Sequence, residues 1–356
     1  MSSNNFPLVF DGHNDTVLDA GRANGDLRRS FFERSASGHI DLPRAREGGL
    51  GGGFFAVFVP SPKRSDPRAA MKDSPDGYHI PLPAPLEHAY ALDFAMGATA
   101  ELLRWEAESE GQVRIVRTAA ELSAALEQKI LAILLHFEGA EAIDTDLDAL
   151  HVFYAVGLRS LGITWSRPNE FGHGVPFAYP ADPDIGPGLT GAGKRLVRAC
   201  NQLGIVVDLS HLNEKGFWDV ASLSQAPLVA THSGVHALCA SPRNLTDRQL
   251  DAVRDSDGVV GVNFHIGFLR SDGRSDVETS VTEIVRHVDY MVRRMGIDHV
   301  ALGSDFDGAV MPHDLADVAG LPRLMKALQD AGYAGEELRK LAHANWERLL
   351  KSTWKS

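Results

Sequence analysis

The sequence predicts an α/β protein: a single-domain (β/α)8 barrel of the TIM type, residues 1–356, with long loops after its strands. Three observations carry this reading. Eight short apolar, β-branched runs recur along the chain, amphipathic stretches at helical spacing lie between them, and the 356 residues exceed the roughly 250 of a plain barrel by about a hundred, enough for extended loops.

The expected strands are Leu8–Asp15, Gly53–Pro60, Leu131–Glu138, Leu158–Trp165, Ile205–His211, Leu228–Ser233, Val259–Phe264 and Val300–Asp305. Alternation with helices makes them parallel. Before the second strand, the glycines of 48–53 read as a tight entry rather than a phosphate loop. Residues 61–83, "SPKRSDPRAAMKDSPDGYHIPLP", are rich in proline and charge and lack a clear period, so they read as a functional loop. Helical spacing places Leu196, Val197, Cys200 and Leu203 on one face of 191–203, and Ile284, Val288, Met291 and Met295 on one face of 283–295. Thr246 is an N-cap ahead of Leu250 and Val253, and a last helix over 335–350 turns Leu338, Leu341, Trp346 and Leu349 together.

Bulk composition excludes several classes. Thirty-five Lys and Arg stand against 47 Asp and Glu, a formal charge of −12, with no basic block. Nucleic acid and anionic membrane surfaces are therefore not expected partners. The two cysteines, Cys200 and Cys239, form neither a disulfide framework nor a CxxC pair, which fits a reducing, cytoplasmic setting. "MSSNNFPLVF" is not a signal peptide, and no run of about 18 apolar residues suggests a membrane span.

The strand ends carry the chemistry. The first strand ends in "GHND", with His13 and Asp15 two apart and hence on one side. The third ends in Glu138, the fifth in His211, the sixth in His232, and the eighth in Asp305 and Asp307. In a barrel all strand C-termini share the face where active sites are built. His13, Asp15, Glu138, His211, His232 and Asp305 then converge as metal ligands of a type that suits zinc, and also manganese or iron. Six ligands exceed one four-coordinate site. Two metals sharing a carboxylate would use them all, and the charge of two divalent ions is balanced by three carboxylates and one bridging hydroxide. That hydroxide is a nucleophile at neutral pH, so metal-assisted hydrolysis is the expected reaction class. His136 reads as packing or as support for a ligand, and His236 and His265, near strand ends, are candidates for such support.

"DGHND", "EG" at 138–139, "DLSH" at 208–211, "THS" at 231–233, "SPRN" at 241–244 and "GSDFDG" at 303–308 stand in the order found in the renal (membrane) dipeptidase family, zinc dipeptidases of the amidohydrolase type, which the chain resembles from about residue 8 to 350. The resemblance implies a (β/α)8 barrel with two zinc ions. His13 and Asp15 would hold one ion, His211 and His232 the other, and Glu138 would bridge them. Asp305 would sit beside the first zinc as the proton shuttle, and Arg243 of "SPRN" would grip the substrate's C-terminal carboxylate. It also implies small dipeptide substrates, with tolerance of a D-residue at the C-terminal position, and a homodimer for which the 61–83 loop is a plausible contact.

One departure stands out. Better-known members carry a substrate-contacting histidine after the fourth strand; this chain has Trp165, in "GITWSRPN". Either its indole N–H polarises the scissile carbonyl, or another group does, or the substrate differs, or Trp165 only packs the barrel mouth. A related metal hydrolase acting on another amide, lactone or ester is the alternative that this change keeps open.

Overall fold

The computed structural model describes residues 6–20, 29–62, 71–74 and 77–355. Eight parallel strands run in barrel order: β1 (Val9–Asn14), β2 (Leu50–Phe58), β6 (Leu131–Glu138), β7 (Leu158–Gly162), β9 (Val206–Asp208), β10 (Val229–Ser233), β11 (Val259–Val262) and β12 (Val300–Leu302). These are the eight expected runs. Most stop a few residues short of the sequence limits, because the chain leaves the ladder where its ligand residues begin. In chain order they are joined by β3 (Lys72–Ser74), β4 (Gly77–Ile80), β5 (Val113–Ile115) and β8 (Phe177–Tyr179).

The seam between β12 and β1 is closed by side chains as much as by backbone. Buried Asp11 accepts hydrogen bonds from Ser304 N and Ser304 Oγ, both at 2.7 Å. Past the end of β12, Asp305 N donates to His13 O at 3.0 Å and Asp15 N donates to Phe306 O at 2.8 Å. The "DGHND" and "GSDFDG" segments are thus stitched to each other, 293 residues apart at Asp11 and Ser304, before either touches a metal or substrate. Burial drives the Asp11 carboxyl up to about 6, against the pull of the Ser304 donors.

Near the strand starts the barrel is filled by apolar side chains. Trp346 plugs it, with its ring 5.0 Å from that of Phe54 and Nε1 donating to Leu302 O at 3.1 Å. A Cβ at Gly12 would lie 2.7 Å from the Trp346 ring and 2.4 Å from Thr231 O, so only glycine fits below His13. Trp346 comes from the C-terminal helical segment, which is not one regular helix. A π-helical turn over Lys340–Ala344 separates Glu336–Arg339 from Asn345–Thr353, and Asn345 Nδ2 ties the segment to the barrel through Ile297 O and Val300 O, both at 2.7 Å.

The outer helices follow their patterns. Gly191–Leu203 buries Leu196, Val197 and Cys200 behind an N-cap in which Gly193 N donates to Thr190 Oγ1. Thr282–Met295 buries Ile284, Val288, Met291 and Met295. Thr246 N donates to Gln249 Oε1 at 2.8 Å, half of a capping box. The glycines before β2 do serve close approach: a Cβ at Gly48 would stand 1.8 Å from Val318 O.

The 61–83 stretch needs a correction. Residues 63–70 and 75–76 lie outside the described residues, but the rest is not without regular structure. β3 and β4 pair antiparallel, and β4 pairs with β8, so a three-stranded sheet stands over the C-terminal end of the barrel. Short strands in a proline-rich segment lack a readable period, and β4 finds its partner about a hundred residues away.

Candidate metal centre

The six side chains named by the strand-end rule converge at the C-terminal mouth. His13 Nε2 lies 3.5 Å from Asp15 Oδ2 and 3.8 Å from Glu138 Oε1. His211 Nε2 and His232 Nε2 lie 3.0 and 3.6 Å from the same Glu138 oxygen and 3.1 Å from each other. Potential ligand atoms of His13, Asp15 and Asp305 all fall within 4.8 Å of one another, as do those of His13, Glu138 and His232. His13 is the residue these two groups share, and Glu138 is the carboxylate that stands 3.0–3.8 Å from three of the imidazoles. Glu138 has that position because it ends β6, between β2 and β7 in the ladder, with Phe58 and Gly162 as its Cα partners.

Two of the imidazoles are held from behind. Thr231 Oγ1 donates to Asp208 Oδ2 at 2.6 Å and lies 2.9 Å from His232 Nδ1. With its proton on Asp208, the hydroxyl accepts from Nδ1–H, which leaves the Nε2 lone pair of His232 facing the cluster. Ser166 Oγ lies 2.8 Å from His211 Nδ1, so that ring too is held at its Nδ1 edge. His13 lacks such support: neither ring nitrogen has a hydrogen-bond partner, and neither does Asp15 Oδ1, although all are buried.

A cation fits this donor set. Burial lowers the pKa of His13, but Glu138, Asp15 and Asp305 outweigh it and push the imidazole up to about 10. Burial, reinforced by Asp15, drives Glu138 well above the usual carboxylate range. Burial and the nearby positive charges of Arg243 and His13 hold His211 and His232 well below the usual histidine value. Protein groups alone leave buried nitrogen and oxygen donors unpaired. Imidazole and carboxylate around shared oxygens are the donors a divalent transition metal takes.

Asp305 is aimed by its neighbours. Its φ is 63°, and Asn263 Nδ2 donates to Oδ2 at 2.9 Å. The amide orientation of Asn263 is set by its other end, where Oδ1 accepts from His265 N at 2.6 Å. A Cβ at Gly308 would lie 2.1 Å from Asp15 Oδ2 and 2.6 Å from Asp305 Oδ1, which explains the glycine that closes "DFDG". Asp307 turns elsewhere: it accepts from His39 N and pairs with Arg29, tying down the loop before Leu42–Gly48.

Arg243 is 2% exposed and lies behind the cluster, with Nη2 donating to His232 O at 3.1 Å and Nε without a partner. Burial lowers its pKa to about 10, with Asp305 and Glu138 resisting, so the guanidinium stays charged at neutral pH. Trp165 lines the cavity over the cluster, its ring 4.9 Å from Phe58, 5.5 Å from Phe177 and 5.9 Å from His211. The cavity, of 1610 Å³, is also lined by Asp15, Glu138, His211 and Asp305, and is walled by the β3–β4–β8 sheet.

The membrane dipeptidase family, peptidase family M19, matches residues 4–355. The chain belongs to the membrane dipeptidase family. A metallo peptidase from Rhodobacter sphaeroides, solved with a phosphinate mimic of the dipeptide L-Ala-D-Ala, is 50% identical, with a TM-score of 0.93 over 98% of this chain and 100% of that one. The M19 metallo peptidase solved as dipeptidase AC is likewise 50% identical, with a TM-score of 0.92 and 99% of each chain covered. An uncharacterised Klebsiella pneumoniae protein from the pqqA 5′ region is 51% identical over 263 residues, 74% of this chain and 97% of its own. The protein is thus a metal-dependent dipeptidase, with zinc the metal expected of the family. No helix among the described residues is long and apolar enough to cross a membrane.

The remaining histidines of the dipeptidase sort by geometry. His136 lies beneath the cluster, 2.9 Å from Ser160 Oγ and edge-on to His13, and burial pushes its pKa down to about 3. His236 is bound to Ala181 O, away from the ligands, while His265 lines the cavity. The strand-end rule missed Asn263, Thr231 and Ser166, because it was applied only to residues that can ligate, and Asp208, because the fifth strand was read as running on to His211 although β9 ends at Asp208. Asn263, in "GVNF" just past β11, was within its reach had carboxamides been admitted.

Proposed function

We propose that this dipeptidase hydrolyses small dipeptides, including L-Xaa-D-Xaa, at a pair of zinc ions. His13 and Asp15 would hold one ion, His211 and His232 the other, and Glu138 both, with Asp305 beside the first. The observation that carries this is the place of Glu138 Oε1, 3.8 Å from His13 Nε2 and 3.0 Å from His211 Nε2. Metal bound there lowers the pKa of water and so supplies a nucleophile at neutral pH.

The chain's own groups do the rest. Arg243 offers the partnerless Nε of a charged, buried guanidinium to the substrate's C-terminal carboxylate. Asp305 takes the proton of the attacking water and returns it to the leaving amine. Asn263 already occupies its Oδ2, which leaves Oδ1 to carry that proton. Trp165, placed beside His211, contacts the substrate at the metal rim. Acceptance of a D-residue is supported by the mimic bound to the Rhodobacter sphaeroides relative and by a site that reads carboxylate and carbonyl before side-chain handedness.

The test is metal analysis combined with turnover of L-Ala-L-Ala and L-Ala-D-Ala. About two zinc per chain with turnover of the D-containing substrate is expected. One ion per chain would overturn the pair. Hydrolysis of a lactone or ester panel without any dipeptide turnover would transfer the reading to another bond.

A further inference from the structure

The cavity is larger than a small dipeptide needs: at 1610 Å³ it exceeds the roughly 300–1,000 Å³ usual for small-molecule pockets. The metal ligands form its floor, and Ser271, Asp272, Arg274 and Ser275 line it elsewhere. Above the ligands one side is a continuous row of aromatic rings. Phe58 packs on Trp165 at 4.9 Å, Trp165 meets Phe177 edge-on at 5.5 Å, and Phe177 stacks on Phe268 at 6.1 Å with 13° between planes.

The row has a direction. At one end the guanidinium of Arg243 lies 5.5 Å from the centre of the Phe268 ring. In the middle, His211 is flanked by Trp165 at 5.9 Å and Phe177 at 6.2 Å. At the other end, Phe58 is the ladder neighbour of Glu138. A dipeptide with its carboxylate on Arg243 and its scissile carbonyl over Glu138 and His211 therefore puts its N-terminal residue at the Trp165–Phe58 end. Those two rings are fixed from behind by the buried Arg167 guanidinium, 4.8 Å from Trp165 and 5.5 Å from Phe58, whose charge faces Glu141 at 3.8 Å.

We infer that the Trp165–Phe58 end of this row is a side-chain subsite selecting dipeptides whose N-terminal residue is large and apolar, aromatic above all. This rests on the dipeptidase reading with Arg243 as the carboxylate anchor. Rigid aromatic faces gain contact area and offset-stacking energy from an aromatic partner. A charged side chain at the same place loses hydration and meets no counter-charge in the row. Trp165 then serves specificity and not polarisation of the scissile carbonyl.

The experiment measures kcat/KM of the zinc-loaded enzyme for L-Ala-D-Ala, L-Phe-D-Ala, L-Ala-D-Phe, L-Asp-D-Ala and L-Lys-D-Ala. L-Phe-D-Ala should exceed L-Ala-D-Ala by about tenfold or more, with the Asp and Lys substrates below both. Phe58→Ala, and separately Trp165→Ala, should collapse the Phe-to-Ala ratio towards one, in variants matching the parent in circular dichroism and zinc content. A parent ratio at or below one overturns the inference, and so does a preference carried by L-Ala-D-Phe or a ratio that survives in a folded variant. If Phe58→Ala does not fold, the Trp165 variant and the parent's own ranking still decide. Absence of turnover for every dipeptide instead overturns the dipeptidase reading, and this inference with it.

Discussion

The two ends of the barrel interior are built from opposite chemistry. Near the strand starts, Phe10, Phe54, Leu134 and Trp346 fill the space, and the one polar atom of Trp346 is paired. At the strand ends, His13, Asp15, Glu138, His211 and His232 are buried together with unpaired nitrogen and oxygen atoms among them. The step between the two is short: the Phe54 ring lies 5.0 Å from Trp346 and 6.1 Å from His136, which in turn meets His13. The lesson is a division of labour along one axis. The apolar end secures the fold, and that stability lets the other end hold polar groups whose partners must come from outside.

Mutations at the two ends should therefore dissociate activity from stability. The largest effect expected is at Asp305: Asp305→Asn should lower kcat by about 10²–10⁴-fold, with zinc content retained and KM changed little, read by steady-state kinetics and metal analysis. A fall in zinc content in proportion to activity would make Asp305 chiefly a ligand. Next, Trp346→Ala should cost about 3–5 kcal/mol in denaturant unfolding while KM of the folded fraction stays near the parent's. A changed KM would break the division.

The layer between the ends gives a finer test. Thr231→Val keeps the shape but removes the hydroxyl behind His232, and should weaken zinc binding by about 10–100-fold in chelator competition. Equal zinc affinity would show that Asp208 and Thr231 serve packing alone. The smallest effect belongs to His287, outside both ends, where Val235 N donates to Nδ1 and Nε2 lies 2.9 Å from Leu269 O. Burial lowers its pKa to about 4, so the folded chain keeps it neutral while the unfolded chain protonates it below about 6.5. Its contribution to stability is present above that value and is lost as pH falls from about 6.5 to about 4. Denaturation midpoints between pH 7 and 5 should fall less steeply in His287→Gln than in the parent; parallel slopes would contradict the assignment.

The barrel and the set of side chains that converge at its mouth were legible because both rest on short-range rules. A strand is an apolar run of a few residues, and a ligand at its end is the next polar side chain, so Glu138 and His232 could be read from their own neighbourhoods. The three-stranded sheet of β3, β4 and β8 was not legible in the 61–83 stretch, since its ladder depends on residues 177–179. The groups that aim the ligands escaped for a similar reason. Ser166 is an ordinary loop serine until His211 comes within 2.8 Å. Arg167 has the sequence signature of a solvent-exposed arginine, yet it is buried behind Trp165.

What the sequence determined by itself is the inventory and its order: eight strands, the residues at their ends, and the family those residues spell. Local hydrophobic period and strand polarity decide such things without reference to distant residues. Only the tertiary structure decided which imidazoles surround the Glu138 oxygen, which of them are held from behind, and which rings line up from Arg243 to Phe58. Those are relations across the barrel, set by ladder register and by closure of the seam at Asp11 and Ser304, and no local pattern encodes a distance between residues that meet only when the barrel shuts.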